Sequence, residues 1–229
     1  MPFRPDSMAP QNERVFDIGQ TGMRDRELVR LYWPVALRPA FDALFAIDDA
    51  LAEVVTSSTQ PALGAIRLGW WREALERLDH QPPPPDPRLQ AVAAEFLSRG
   101  ITGAMLAELE DGWAALLDER PDIEQIGERG AKLFAIAARL LDANDRLLGV
   151  AGRLYAYGSV GRMKLMPMHD PMEEMTLLSR HRFPRRLRPL TALARLAMHD
   201  IKKAPDIEPE ATPGRAAALL SHRLFGIIV

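Results

Sequence analysis

The stretch LFAIDDALAEVV, Leu44 to Val55, decides how the rest of the chain is read. Phe41, Leu44, Phe45 and Asp48 fall at i, i+3, i+4 and i+7, which predicts one amphipathic helix with Asp48 turned inward. An inward carboxylate is expensive unless it meets a cation, a hydrogen-bond donor, a water-filled pocket or a frayed edge. Asp49 and Glu53 stand one turn apart on the neighbouring face. Two acids at that spacing suit a hard cation such as magnesium with substrate phosphates, and they equally suit a solvated helix face.

The same period recurs along the chain. Leu28, Leu31, Tyr32 and Val35 repeat it, as do Trp71, Ala74, Leu75 and Leu78, and again Leu133, Ile136, Ala137 and Leu140. Leu106, Leu109, Trp113, Leu116 and Leu117 make a further stripe. Period-two runs of β-branched residues are missing, so the expectation is an all-α protein of about seven to nine helices. Pro82 to Pro85 read as a stiff break between helices, and the Met- and Pro-bearing segment from Met163 to Pro171 ends another. A third break, APDIEPEATPG, isolates a last short helix from Arg215 onward. The expected organisation is a flexible N-terminal segment (1–22), a helical domain (23–204), and an acidic, proline-bearing loop with a terminal helix (205–229).

Composition removes several functional classes. Lys and Arg number 29 against 31 acids, so net charge gives no reason to expect nucleic acid. There is no cysteine, which excludes disulfides, cysteine-ligated zinc and thiol nucleophiles. The N-terminal MPFRPDSMAPQNERVFDIGQ lacks an apolar signal core, and nothing in the sequence is long and apolar enough to span a bilayer. The expected location is the cytoplasm, with peripheral contact to the inner membrane as an extension of it.

The segment RLGWWREALERLD, Arg67 to Asp79, follows the acidic helix after a short Ser/Thr/Pro loop. Together LRPAFDALFAID and IRLGWWREALE resemble the squalene/phytoene synthase family, in particular its shorter bacterial members. GERGAKLFAIAARLLD resembles the family's central helix, and GVAGRLYAYGSVGRMKLMPMHD occupies the place of its second motif-bearing helix. The resemblance runs roughly from Met23 to Pro189. It implies the isoprenoid synthase bundle, in which two aspartate-rich helices face each other across a central apolar pocket. It also implies head-to-head joining of prenyl diphosphates, with magnesium on each aspartate motif neutralising the departing diphosphate.

The chain departs from that pattern where the chemistry needs it. Aligned through Arg67 and Trp71, the first motif falls near Ala52 to Thr56, where only Glu53 is acidic, and Asp48 and Asp49 sit about one turn early. The second motif falls within RLYAYGSVGRMKLMP, Arg153 to Pro167, which contains no acid; Arg162 stands where the family also places an arginine. One branch of the family has lost these aspartates and serves in respiratory complex I assembly. The chain resembles that branch in its eroded second motif, its Arg162 to His169 spacing and its short length. The expectation is therefore a non-catalytic, assembly-factor-like protein that binds a lipid or a protein partner and needs no cofactor. Asp48, Asp49 and Glu53 are then remnants of a catalytic face. Expected around an apolar cavity for an isoprenoid or other lipid are Phe45, Trp71, Leu133, Tyr155 and Gly158, with Arg67 and Arg162 gripping an anionic head group. Two alternatives stand beside it: a magnesium-dependent prenyl-diphosphate transferase using those three acids, and a closed helical scaffold working by surface contacts alone.

Other constellations carry less. His80, His169, His181, His199 and His222 show no metal-ligand spacing, and no nucleophile elbow or phosphate-binding glycine loop is present. Gly152, Gly158 and Gly161 suit close helix packing. Trp70 and Trp71 read as core, and Glu73 with Arg77 as a surface ion pair. Arg182, Arg185, Arg186 and Arg188 form a basic cluster that suits either a solvated helix start or an anionic lipid or acidic partner.

Overall fold

A computed structural model describes residues 23–229, and among them every regular element is helical. The all-α expectation holds; the flexible segment expected over 1–22 lies outside the described residues. No helix among the described residues is long and apolar enough to cross a membrane.

The acidic stretch lies in α2 (Arg38–Ser57), which starts with proline at its first turn and buries Phe41, Leu44, Phe45 and Ile47. α3 (Pro61–Arg77) buries Leu68, Trp71, Ala74 and Leu75, as its period requires. The Pro82–Pro85 break leads into α4 (Pro87–Glu95), whose N-cap Asp86 accepts from the backbone N–H groups of Arg88 and Leu89 at 2.8 and 3.3 Å. The stripe from Leu106 to Leu117 is divided by a tight turn into α5 (Gly103–Ala107) and α6 (Glu110–Ala114), which raises the helix number above the sequence expectation.

The centre of the molecule is the pair α7 (Ile123–Leu140) and α8 (Leu148–Arg162). Gly130 and Gly152 are the reason they cross so closely: a Cβ on Gly130 would stand 2.0 Å from the carbonyl oxygen of Gly152. Any side chain there would push the two backbones apart. After the short α9 (Met172–Leu178), α10 (Arg188–Lys203) packs on α8 where Gly158 meets Ala197.

The N-terminal stripe is an informative exception. α1 (Met23–Arg30) stops before it is complete, and the core positions go to Val29 and Trp33, at 0 % and 1 % exposure. Leu31 and Val35 are left 59 % and 73 % exposed. Pro34 is the cause, because its ring disfavours helical backbone in the residue before it and removes a donor.

Residues 205–229 fold back onto the bundle. α11 (Pro213–Phe225) is capped by Thr212 and buries Arg215, Ala218, Leu219 and His222 against α10. His222 Nδ1 donates to the Ile227 carbonyl at 3.0 Å, which leaves Nε2 to accept from the Thr191 hydroxyl at 2.9 Å. Burial pushes the His222 imidazole down to about 4, against the partial support of the Ile227 carbonyl. A histidine depressed in the folded state binds its proton more readily when unfolded, so its stabilisation is complete above the unfolded pKa of about 6.5. That stabilisation, about 3 kcal/mol, is lost as pH falls toward the folded value. Urea denaturation across this window should show His222→Gln with a shallower loss of stability toward acid than the parent; parallel profiles would reject a neutral buried His222.

Candidate functional site

The bundle holds a cavity of about 70 Å³, open on one side, whose walls come from both ends of the described residues. α8 contributes Tyr155, Gly158, Ser159 and Arg162, and α10 contributes Leu193, Leu196, Ala197 and Asp200. α1 adds Asp25 and Arg26, α2 adds Asp48 and Asp49, and the C-terminal segment adds Glu210 and Arg215. Floor and walls are thus partly apolar, while the rim and one side are a lattice of acids and arginines.

Asp48 is 3 % exposed, and its inward placement is resolved by two partners. Its Oδ1 accepts from Arg129 Nη1 at 2.6 Å and from the Trp113 indole N–H at 2.8 Å. The Arg129 guanidinium lies 4.0 Å from the centre of the Trp113 ring and donates through Nη2 to Ser159 Oγ at 3.0 Å. Arg129 therefore bridges α2, α6, α7 and α8 from a position that is 1 % exposed.

Asp49 stands at the mouth, with 43 % of its side chain open, and pairs with Arg26 at 2.8 Å. Burial of its inner part raises the Asp49 carboxyl above the ordinary aspartate value, and the Arg26 guanidinium pulls against that rise. Arg26 also lies 5.2 Å from the Phe45 ring centre. Burial, with the Asp48 charge second, pushes the Tyr155 phenol above its usual range, so Tyr155 keeps its proton at neutral pH.

On the other side of the cavity Arg215 joins Asp25, at 2.6 Å, to Asp200. Arg162 stands 3.0 Å from Asp200 and 3.4 Å from Glu210, and donates through Nη2 to the Glu208 carbonyl at 3.0 Å. Its two ion pairs are close but misaligned for hydrogen bonding, since Nε and Nη1 lack a well-directed acceptor.

The structure brings together only part of the expected site. Tyr155, Gly158 and Arg162 line the cavity, and Phe45 meets Tyr155 edge-on at 6.3 Å. Leu133 is sealed in the core at 0 % exposure, and Trp71 packs under the Arg88 guanidinium at 4.6 Å; neither lines the cavity. Arg67 is exposed and bonds Ser57 Oγ at 3.1 Å, so it shares no head-group site with Arg162. The reason is register: Arg67 lies one position before Leu68, the buried residue of its turn, on the outer side of α3. Trp70 is likewise not core but 49 % exposed, in an outward row with Leu63 and Ile66. The expected Glu73–Arg77 surface pair is present at 2.7 Å.

Of the cations at the site, sequence reasoning found Arg162 and missed Arg26, Arg129 and Arg215. Two of them carried a readable signal. Arg129 interrupts the apolar stripe of α7 between Ile126 and Leu133, and Arg215 starts the buried stripe of α11. A charge on an apolar stripe calls for an opposite one elsewhere.

A magnesium ion needs several carboxylate oxygens that are not already engaged. Here Asp48 is committed to Arg129 and Trp113, Asp49 to Arg26, and Glu53 is exposed on the outer surface of α2. Among the described residues no three histidine, aspartate or glutamate side chains are placed to hold a metal ion. This arrangement does not fit magnesium. No family model matches the chain, and no curated protein or solved structure matches it at a significant level.

Proposed function

We propose that the chain is a non-catalytic helical protein of isoprenoid-synthase-like build, resembling the aspartate-depleted branch of the squalene/phytoene synthase family. It serves by binding a partner, in the manner of an assembly factor. One observation carries this reading: each of the two aspartates that could hold a metal faces an arginine instead, Asp48–Arg129 at 2.6 Å and Asp49–Arg26 at 2.8 Å. Internal guanidinium groups then occupy the positions where metal and diphosphate charge would have to sit. The size of the cavity, about 70 Å³, supports a protein partner over an enclosed isoprenoid, because small-molecule sites usually span about 300 Å³ or more. The outward row Leu63, Ile66 and Trp70 supplies apolar surface of the kind that a protein partner covers.

The test is a product assay with farnesyl and geranylgeranyl diphosphate and magnesium. The parent protein should form neither squalene nor phytoene, and Asp49→Asn with Glu53→Gln should behave identically. Magnesium-dependent product that disappears in the variant would overturn the proposal and install the transferase reading. Native mass spectrometry of protein taken from its own host separates the two binding modes: a retained isoprenoid would displace the protein-partner reading.

A further inference from the structure

The basic cluster that begins at Arg182 acquires neighbours in three dimensions that its sequence does not show. Phe183 donates its backbone N–H to the Gly226 carbonyl at 2.9 Å, which seats the cluster beside the end of α11. Arg188 reinforces the junction, donating to the carbonyls of Arg223 and Leu224 at 3.0 and 2.9 Å. Arg223 in turn lies over the Tyr32 ring at 4.6 Å, which brings in the segment after α1. Tyr32, Arg185 and Pro189 are shared by two adjoining surface grooves, one running to Arg223 and Leu224, the other to Pro34 and Arg186.

Three short chain segments thus meet on one face, 32–34, 182–189 and 223–225, with Asp142 at the edge of the second groove. None of the three segments contains an aspartate or glutamate. Their outermost cations, Arg182 and Arg185, have no acidic partner among the described residues, and Arg186 pairs only with the open side chain of Asp142, at 3.2 Å. Leu224, which lines the first groove, belongs to a run of exposed apolar side chains near the end of α11. Leu220 and Leu224, one turn apart on α11, are 53 % and 61 % exposed, and Phe225 is 54 % exposed. Leu31 and Val35, close to Tyr32 in sequence, are exposed as well. In a chain whose net charge is −2, this is a predominantly positive and apolar face, with the exposed Asp142 at its edge.

We infer that this face is a docking surface for an anionic lipid bilayer. A bilayer interface offers phosphates at one depth and acyl carbon a few ångströms below, which matches arginines interleaved with leucine and phenylalanine. Arginine stems lie along the apolar surface while their guanidinium groups reach the phosphates in pairs of hydrogen bonds. The two contributions are each weak and bind together, so attachment is reversible and sensitive to salt. This inference does not depend on the fate of the internal cavity.

The experiment is flotation of the full chain with vesicles of phosphatidylcholine containing about 30 % phosphatidylglycerol, beside pure phosphatidylcholine, in about 0.1 M salt. The protein should float with the anionic vesicles only. Arg182→Gln, Arg185→Gln, Arg186→Gln together should lower partitioning about a hundredfold. Leu220→Ser, Leu224→Ser, Phe225→Ser together should lower it at least about tenfold. These six side chains are exposed, and unchanged circular dichroism checks that the variants remain folded. Arg77→Gln, Arg99→Gln, Arg120→Gln, which removes three exposed charges elsewhere, should bind as the parent does. The inference is overturned if the parent does not float with anionic vesicles, if it floats equally with neutral ones, or if the elsewhere-charge variant loses as much as the cluster variant. Retention on an acidic protein without vesicle flotation overturns it equally.

Discussion

Arg129→Met is expected to destabilise the protein by about 3–5 kcal/mol, the effect of removing one partner from a buried ion pair. Asp48 Oδ1 accepts from the Arg129 guanidinium and from the neutral Trp113 indole. After the substitution the carboxylate keeps one neutral donor at 3 % exposure and must stay charged in an apolar setting or take up a proton. Ser159 loses a donor but remains bonded to the Ala156 carbonyl at 2.8 Å, so the damage centres on Asp48. Adding Asp48→Leu to Arg129→Met should recover most of the loss. A residue of about 1–2 kcal/mol should persist because the Trp113 N–H is then left without an acceptor. Urea denaturation of the parent, both single variants and the double variant closes the cycle. A single Arg129→Met effect below about 1 kcal/mol would mean that the pair is solvated and not the internal bridge described here.

Arg215→Met carries the second large expectation, again about 3–5 kcal/mol, with a local signature. Arg215 is 2 % exposed and spans Asp25 of α1 and Asp200 of α10, so it joins the two ends of the described chain through one guanidinium. Asp200 retains Arg162 at 3.0 Å, while Asp25 retains, among the described residues, the backbone N–H of Ala211, also at 3.0 Å. Asp25 is therefore the worse orphan, and Arg215→Met with Asp25→Asn should be more stable than Arg215→Met alone. Lysine should not replace Arg215, because an ammonium cannot present separate donors to two carboxylates on opposite sides. Hydrogen exchange should accelerate first in residues 205–229, which this bridge helps to attach to α10. Acceleration spread evenly over the bundle would argue that Arg215 stabilises the whole rather than the closure of its ends.

The helical class was legible from short windows because helix formation is local: a 3.6-residue period of apolar side chains identifies the buried side of α2, α3 and α7 without knowledge of neighbours. Breaks were legible for the same reason, since Pro82–Pro85 and the stretch after Arg162 act on their own backbone. The period misled where a local stop overrode it. The period through Leu31 and Val35 predicts a continuing helix, yet α1 ends at Arg30 and both side chains are exposed on either side of Pro34.

The candidate site divides differently. That Asp48 points inward followed from its position behind Phe41, Leu44 and Phe45, and the misfit of Arg129 on its stripe was visible in the same way. That these two meet across 81 positions, with Trp113 and Ser159 closing the set, depends on where Gly130 lets α7 and α8 cross. The expected grip of Arg67 and Arg162 on one head group failed on the same ground, since the two arginines lie on different sides of the bundle wall. Sequence by itself determined which residues are helical, which side of each helix is apolar and which charges are out of place there, because those properties are set within a few residues. Only the tertiary structure decided which misplaced charge neutralises which. That choice follows from helix crossings and chain closure, to which residues distant in sequence contribute equally.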